Sequence, residues 1–531
     1  MQHAVDIIRA MNVRAAVLDL LRSFGITTVF GNPGSTELPL YRDFPKDFRY
    51  ILGLQEAVVV GMADGYAQAT RNAAFVNLHS AAGVGHAMGN IFTAFRNRTP
   101  LVITAGQQAR SILPYEPFLH SSQAAELPRP YVKWSCEPAR AEDVPAAIAR
   151  AYYLAMQPPR GPVFVSIPAD DWDRPCEPIE ARAVSSEIRP EPRVLAAIGD
   201  ALDSSMRPAF VVGAAVDRDG AWDEVVALAE RHNAAVWVAP MSGRCSFPED
   251  HPLFAGFLPP MREKLVQLLA GYDLVFALGA AAFTYHVEGA GPHLPAGTTL
   301  VQLVEDPNIA AWAPSGTSAV GSIRLGVTDL LARKPPRSRE RPRSRARPPR
   351  VDARSPMSAA HVMQTLADIR DPASIVVEEA PSSRAAMQAH LPILRSETFY
   401  TMCSGGLGYS LPAAVGIALA KPSAKVIALI GDGSAMYSIQ ALWSAVQLEL
   451  PITFIILKNG RYAVLQEFAR VFGFGAGDAL PFIDLPGIDF AALARGQGCR
   501  SSSVSRAEDL RDVVASALDA RVPTLVEIEI A

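Results

Sequence analysis

Cysteine is scarce and scattered: Cys136, Cys176, Cys245, Cys403 and Cys499 are five in 531 residues, with no CxxC pair and no zinc-ligand spacing. That excludes a disulfide-stapled scaffold and a cysteine metal centre, and it fits a reducing, cytoplasmic setting with mostly buried thiols. Charge is sparse too, at 19% of residues with a net value of −4, which argues against a general nucleic-acid partner. No uninterrupted apolar run is long enough to cross a bilayer, and the first residues carry charges where a leader peptide would be apolar, so neither membrane attachment nor export is expected. There is no GxSxG elbow and no Ser-His-Asp order. The glycines of the Gly83–Gly89 segment miss the dinucleotide spacing by one residue, so they give a nicotinamide site little support.

What the chain has is apolar substance, 49% of its residues, in alternating short runs. The amphipathic Ala15–Phe24 ends at Gly25 and is followed by a strand at Ile26–Phe30. Strands follow at Tyr50–Leu54, Ala74–Leu78, Leu101–Ala105 and Val163–Ile167, with helices such as Ala57–Thr70 and His86–Arg96 between them. A second series places strands at Ala209–Gly213, Ala235–Ala239, Leu274–Leu278 and Leu300–Val304. A third places them at Ile375–Val377, Lys425–Ile430, Ile452–Leu457 and Thr524–Ile530, with a helix over Tyr437–Leu448. This alternation predicts an α/β chain of three domains, 1–185, 186–332 and 355–531, each with a mostly parallel sheet flanked by helices. The first and third match in length and style, which suggests a duplicated architecture. Between the second and third, residues 333–354 are rich in arginine, proline and serine; this stretch predicts an extended, exposed tether, and no aromatic interleaves it as a nucleic-acid arm would require.

Candidate chemistry gathers at the ends of strands. Gly431-Asp432-Gly433-Ser434 closes one buried strand and Lys458-Asn459-Gly460-Arg461-Tyr462 closes the next. A carboxylate and an amide oxygen beside glycine-rich backbone suit a magnesium ion that also holds phosphate, although both are common turn sequences as well. Glu56 stands in the otherwise apolar Ile51–Val60 stretch, where a buried carboxylate costs several kcal/mol without a partner; the alternative is a first-turn or N-cap acid of the next helix. His79 closes a strand and His286 follows Tyr285 in a loop. Either could be ordinary hydrogen-bonded structure.

Together these residues resemble the thiamin-diphosphate-dependent enzymes, in the benzoylformate-decarboxylase branch. The likeness rests on GDGS at 431–434 with Asn459 downstream, GNPGS at 31–35, LQEA at 54–57, LHSAAG at 78–83, Tyr285-His286 and GGLG at 405–408, and it spans nearly the whole chain. It implies the thiamin-diphosphate-binding fold, thiamin diphosphate and Mg²⁺ (with Ca²⁺ able to substitute) as cofactors, and no FAD. Glu56 would bond the aminopyrimidine ring. Asp432, Asn459 and the backbone carbonyl of Arg461 would ligate the metal. Gly433, Ser434 and Ser382 would donate to the phosphates, Leu407 would prop the cofactor, and the carbonyl of Gly405 would accept from its amino group. Pro33, Gly34, Pro381, Tyr437 and Tyr462 would line the cofactor. Ser35 would bind the substrate carboxylate, with His79 and His286 as acid–base groups.

The substrate pocket implied by the resemblance comprises Phe118, Leu119, Thr401, Val464, Leu465 and Phe468, and here the chain departs from the branch. Thr401 replaces an aromatic, Val464 replaces an alanine, and Phe118 and His120 replace leucine and threonine, while Phe468 is kept. The expectation is non-oxidative decarboxylation of an aromatic or bulky apolar 2-oxo acid through a cofactor-bound enamine, with phenylglyoxylate to benzaldehyde and CO₂ as the leading choice. The alternatives are an acetolactate-synthase-like ligase and a silent cofactor-binding homologue. The resemblance also implies a cytoplasmic homo-oligomer, a tetramer built from dimers, with active sites between subunits.

Overall fold

Apolar runs bounded by glycine, proline and polar turns become strands, and the described strands collect into three six-stranded sheets, each parallel throughout, beside a two-stranded antiparallel ribbon of Met11–Asn12 with Pro175–Cys176. The structure, a computed structural model, describes residues 11–281, 283–475 and 477–531. In the first sheet β1 (Thr28–Gly31), β2 (Arg49–Leu52), β3 (Ala74–Leu78), β4 (Leu101–Gln107), β5 (Ser135–Cys136) and β6 (Val163–Pro168) lie in the order β2-β1-β3-β4-β6-β5. The middle sheet holds β7 (Pro208–Val212), β8 (Ala235–Val238), β9 (Phe254–Phe257), β10 (Leu274–Leu278), β11 (Thr299–Val304) and β12 (Thr317–Val320) in the order β9-β8-β7-β10-β11-β12. The third holds β13 (Ile375–Glu379), β14 (Phe399–Thr401), β15 (Val426–Gly431), β16 (Thr453–Lys458), β17 (Arg500–Val504) and β18 (Thr524–Glu529) in the order β14-β13-β15-β16-β18-β17. The first and third sheets thus share one winding, as the sequence suggested, and the middle one follows the doubly wound dinucleotide order.

Both faces of these sheets are apolar because the strands are covered on both sides. In β7, Phe210 and Val212 point into one buried cluster while Ala209 and Val211 point into the other. Crossover helices supply the covering layers, since parallel neighbours cannot be joined by tight turns.

By contacts the chain divides into two compact units. One comprises residues up to Ser186 with Ser404–Ala420 and Gln440–Leu448; the other comprises Glu187–Cys403, Lys421–Ile439 and Glu449–Ala531. Helices α1 (Glu56–Thr70), α2 (Ser80–Asn97), α3 (Ser410–Ala420) and α4 (Ala441–Gln447) therefore belong with the first sheet, although α3 and α4 come from the expected third domain. The reason is in α3 itself: it is apolar on nearly all sides, so it must be buried, and it crosses α1 closely. A methyl added at Gly416 would lie 1.9 Å from the Met62 carbonyl oxygen, and one at Gly65 would lie 2.2 Å from that of Ala413.

Three expectations need correction. The helix expected over Tyr437–Leu448 begins at Ala441, because Asp432–Ala435 forms a helical turn of its own and the chain then turns through 436–440. The helix expected at His86 begins at Ser80, where tertiary packing overrides the weak helix propensity of Gly83, Gly85 and Gly89. The arginine-rich 333–354 is extended as expected, but it is not wholly exposed. Arg339 is buried and donates to the carbonyls of Leu202, Asp203 and Ser205 and, at 2.8 Å, to Nδ1 of His232. Arg333 pairs with Asp200 and Asp203, and the Arg345 guanidinium lies over Phe254 and Phe257. The segment is a strap pinned to the middle domain.

Candidate active site

In an open α/β sheet ligands gather where the strand order reverses, beyond the carboxyl ends of the strands. In the first sheet that point lies between the paired strands β1 and β3. From β1 runs the turn Gly31–Thr36 with Pro33, Gly34 and Ser35, and from β3 runs His79. Ser35 and Pro33 are exposed and Gly34 is half-buried. Ser80, directly after His79, is left-handed at φ 42°, a conformation that costs a non-glycine residue about 1–3 kcal/mol and recurs at functional sites.

Glu56 is the first residue of α1 and is 8% exposed. Its N-cap alternative is removed by Gln55, whose Oε1 accepts from Ala57 N at 2.6 Å and Val58 N at 3.2 Å. Glu56 is left to other work, and its Oε2 lies 3.1 Å from Nδ1 of His86, a partner sequence reasoning missed. Sequence reasoning also missed Glu37, whose carboxylate reaches Nδ1 of His79 at 2.8 Å. The signal was available: Glu37, like Glu56, is an acid among apolar residues just beyond a strand.

The same unit carries the Gly405-Gly406-Leu407-Gly408 turn ahead of α3. Gly405 sits at φ 75° and Gly408 at φ 96°, backbone that glycine alone adopts freely. Ser404 Oγ accepts from Gly406 N at 3.0 Å and meets Thr93 Oγ1 at 2.9 Å, which fixes the turn on α2. Leu407 is half-buried.

In the third sheet the reversal lies between β13 and β15, from which run Pro381-Ser382 and Asp432. Asn459 follows β16, the next strand. The Asp432 carboxylate is buried and accepts from Gly433 N at 2.7 Å, Asn459 N at 3.1 Å and Gly460 N at 2.7 Å. Burial raises its pKa above the usual carboxylate value, against the pull of those amides and Lys458. Asn459 Oδ1 accepts from Arg461 N at 3.1 Å. Gly433 must be glycine, because an added methyl would come 2.3 Å from the Tyr462 ring. Ser434 is buried beside it, and burial with the neighbouring Tyr437 pushes the Tyr462 phenol up. Ser382 Oγ accepts from Val464 N at 3.0 Å, tying that turn to the start of α5 (Ala463–Val471).

These donors fit a magnesium ion shared with a diphosphate. A carboxylate, an amide oxygen and a carbonyl are hard ligands, and they are too few to complete an octahedron alone. No cluster of three or more His, Cys, Asp or Glu able to hold a metal occurs among the described residues, so any metal here would need ligands from outside this side-chain set, such as water or phosphate oxygens. A cation would also relieve the desolvated Asp432 carboxylate.

The expected substrate-pocket residues fall on both units. Val464, Leu465 and Phe468 share α5, whose described side chains are never fully buried, and Phe468 stacks on His286 at 4.3 Å. Phe118 is 97% exposed and Leu119 half-buried. Thr401 is corrected: its side chain is buried in β14, where it donates to Glu378 at 3.1 Å and accepts from Arg384 at 2.8 Å, so it offers nothing to a substrate.

With the fold and both strand-end clusters in place, the chain belongs to the thiamine pyrophosphate enzymes. The family's N-terminal TPP binding domain matches residues 11–126, its central domain 195–330 and its C-terminal TPP binding domain 381–528. Among curated relatives, benzoylformate decarboxylase of Pseudomonas aeruginosa is 45% identical over 521 residues, covering 97% of this chain and 98% of the relative. Among solved structures, benzoylformate decarboxylase from Polynucleobacter necessarius superposes with a TM-score of 0.95 at 40% identity, covering 98% of this chain and 99% of that one. The 4-hydroxybenzoylformate decarboxylase of Rhodococcus jostii RHA1 gives a TM-score of 0.93 at 40% identity with the same coverage.

Proposed function

We propose that this chain is a thiamin-diphosphate- and Mg²⁺-dependent carboxy-lyase that converts an aromatic 2-oxo acid, phenylglyoxylate first among them, to the aldehyde and CO₂. The observation that carries it is a buried Glu56, free of capping duty, in the same unit as a strand-end pair that offers a serine turn and a histidine. Bound thiamin diphosphate supplies the electron sink that loss of CO₂ requires. Glu56 would hydrogen-bond the aminopyrimidine ring of the bound cofactor and hold a proton there, and its low-dielectric setting would strengthen that bond. Asp432, Asn459 and the Arg461 carbonyl would hold the metal, and Gly433, Ser434 and Ser382 would orient the phosphates. Ser35 donates to the substrate carboxylate. His79 and His286 move protons at the substrate's carbonyl oxygen and carbon as the aldehyde forms. Val464, Leu465 and Phe468 on α5 wall the apolar side chain of the substrate and exclude water.

The assembly we propose is a cytoplasmic homotetramer whose sites draw Glu56 and Asp432 from different chains. Five free cysteines are in keeping with a reducing compartment, and no described helix is long and apolar enough to cross a membrane.

The test is incubation with thiamin diphosphate, Mg²⁺ and a panel of 2-oxo acids, with CO₂ and aldehyde measured. Phenylglyoxylate is expected to be turned over fastest. Cofactor demonstrably bound with no turnover of any member overturns the proposal.

A further inference from the structure

We infer that Glu37 is a positioning residue that fixes both the tautomer of His79 and the turn carrying Ser35, and so sets the direction in which His79 moves its proton. The inference rests on the reading of His79 as an acid–base group.

Glu37 is 1% exposed, and no cation lies against it among the described residues. Four groups fill its two oxygens instead. Oε2 accepts from Gly34 N at 2.8 Å and meets His79 Nδ1 at 2.8 Å; Oε1 accepts from Gly106 N at 2.9 Å and from Thr36 Oγ1 at 2.6 Å. Backbone amides and a hydroxyl that faces a carboxylate can only donate, so both oxygens act as acceptors, and Nδ1 of His79 completes the set as a fourth donor. Thr36 Oγ1, 3.3 Å from Nδ1, has its hydrogen on Glu37 and can only accept there. The neutral imidazole is thereby fixed as the Nδ1–H tautomer, with Nε2 as its basic atom.

The surrounding glycines are cut to this arrangement. A methyl at Gly34 would come 2.1 Å from His79 Nδ1, and one at Gly106 would come 2.2 Å from Glu37 Oε1. The pair therefore needs two strand-end positions without side chains, one of them inside the Ser35 turn. The proton that moves is the one at Nε2, exchanged with the substrate. Nδ1–H stays on the ring, held by Glu37 Oε2.

Titratable neighbours do not replace Glu37. Tyr41 follows it and Tyr50 lies on β2, and burial raises both phenols well above their ordinary value, so they stay neutral. Glu56 of α1 approaches the same first turn of α2, where a methyl at Gly83 would lie 3.3 Å from its Oε1 and 3.4 Å from His79 Cβ, but its partner is His86.

The experiment has two arms on the full-length protein. In ¹⁵N-histidine spectra of the wild type, the His79 signals, assigned by their loss in His79→Asn, should report the Nδ1–H tautomer at neutral pH. A proton on Nε2 alone overturns the inference, and this arm needs neither turnover nor a Glu37 variant. In Glu37→Gln, the amide must turn an N–H toward one of the four donors. We expect kcat to fall about 10²-fold, with cofactor affinity and thermal midpoint close to wild type. The same ¹⁵N spectra of Glu37→Gln should show His79 no longer held as the Nδ1–H tautomer alone. An unchanged tautomer in that variant overturns the inference even if kcat falls. Wild-type protein that turns over no 2-oxo acid refutes the proposed function instead, and leaves the tautomer to be decided by the spectra.

Discussion

At the scale of single residues, buried acids mark the proposed site. Glu56 is buried, yet Gln55 has taken the capping role, and Glu56 meets an exposed histidine, His86. A structural acid would have been given backbone donors, as Glu37 was. We therefore expect Glu56→Gln to bind thiamin diphosphate and fold normally, while decarboxylation falls by about 10²–10⁴-fold, the usual range for loss of a proton-transfer group. Wild-type turnover in that variant removes Glu56 from the mechanism. Val464 is the matching case for specificity, since it stands one turn before Phe468 on α5, and Phe468 stacks on His286. Val464→Ala should shift the ratio of kcat/KM between phenyl and bulkier aryl substrates by about 1–3 kcal/mol in favour of the bulkier, the worth of a methyl or two in an apolar pocket. An unchanged ratio takes Val464 out of the pocket. Glu56, Asp432 and His79 stand out in the sequence because each is a polar residue at the end of an apolar run. Glu37 offered a similar signal that went unused, and His86 offered none, because the contacts of both lie with partners 42 and 30 positions away. Thr401 was misplaced for the opposite reason: its position on a strand was clear, but its pairing with Glu378 and Arg384 was not.

At the scale of elements, strand centres were legible and strand edges were not. β3 and β10 fall at the expected residues, whereas β1 starts two residues later than expected and edge strands such as β5, β9 and β17 went unseen. Short or polar edges lack the buried apolar run that marks a central strand. The arginine-rich strap is the largest change of meaning, and its anchor makes a pH prediction. Burial, with the Arg339 charge beside it, lowers the His232 pKa to about 4, so His232 stays neutral in the fold and takes the guanidinium hydrogen on Nδ1. The unfolded chain, with an ordinary histidine, binds that proton from about pH 6.5 downward. Between pH 6.5 and 4 the unfolded state therefore holds more protons, and this contribution to stability is lost as pH falls through the window. Asp64 and Glu249, raised by burial to about 6 and about 8, act with the opposite sign, so the wild-type slope alone is ambiguous. The comparison with His232→Gln isolates the term, because an amide oxygen can accept from Arg339 without titrating. Scanning calorimetry should show the midpoint of the variant falling less than that of the wild type between pH 6.5 and 4.5. Parallel slopes mean that the strap is not anchored through His232.

At the scale of the whole molecule, two sheets share one winding, and the residues proposed for the two ends of the cofactor fall on different compact units: Glu56 on one and Asp432 on the other. The sequence revealed the duplication through matched alternation. It could not reveal that α3 and α4 leave the third domain's span for the first unit, since that depends on a close helix crossing. In the proposed site one cofactor would meet Glu56 at its pyrimidine and the metal ligands at its diphosphate, so the proposed assembly makes a sharp demand on subunit mixtures. If each site takes Glu56 from one chain and Asp432 from its partner, a dimer of Glu56→Gln with Asp432→Asn has one site with both defects and one with neither. Neither homodimer has an intact site. Random reassociation of equal amounts makes half the dimers hybrid, each with one of two sites whole, so about a quarter of wild-type activity should appear in a mixture of two inactive proteins. The control is mixing without prior dissociation, which should stay near zero. If reassociated mixtures, shown by mass to contain hybrids, remain inactive, then both residues serve one cofactor from the same chain, and the inter-subunit site is wrong even if the chemistry is right.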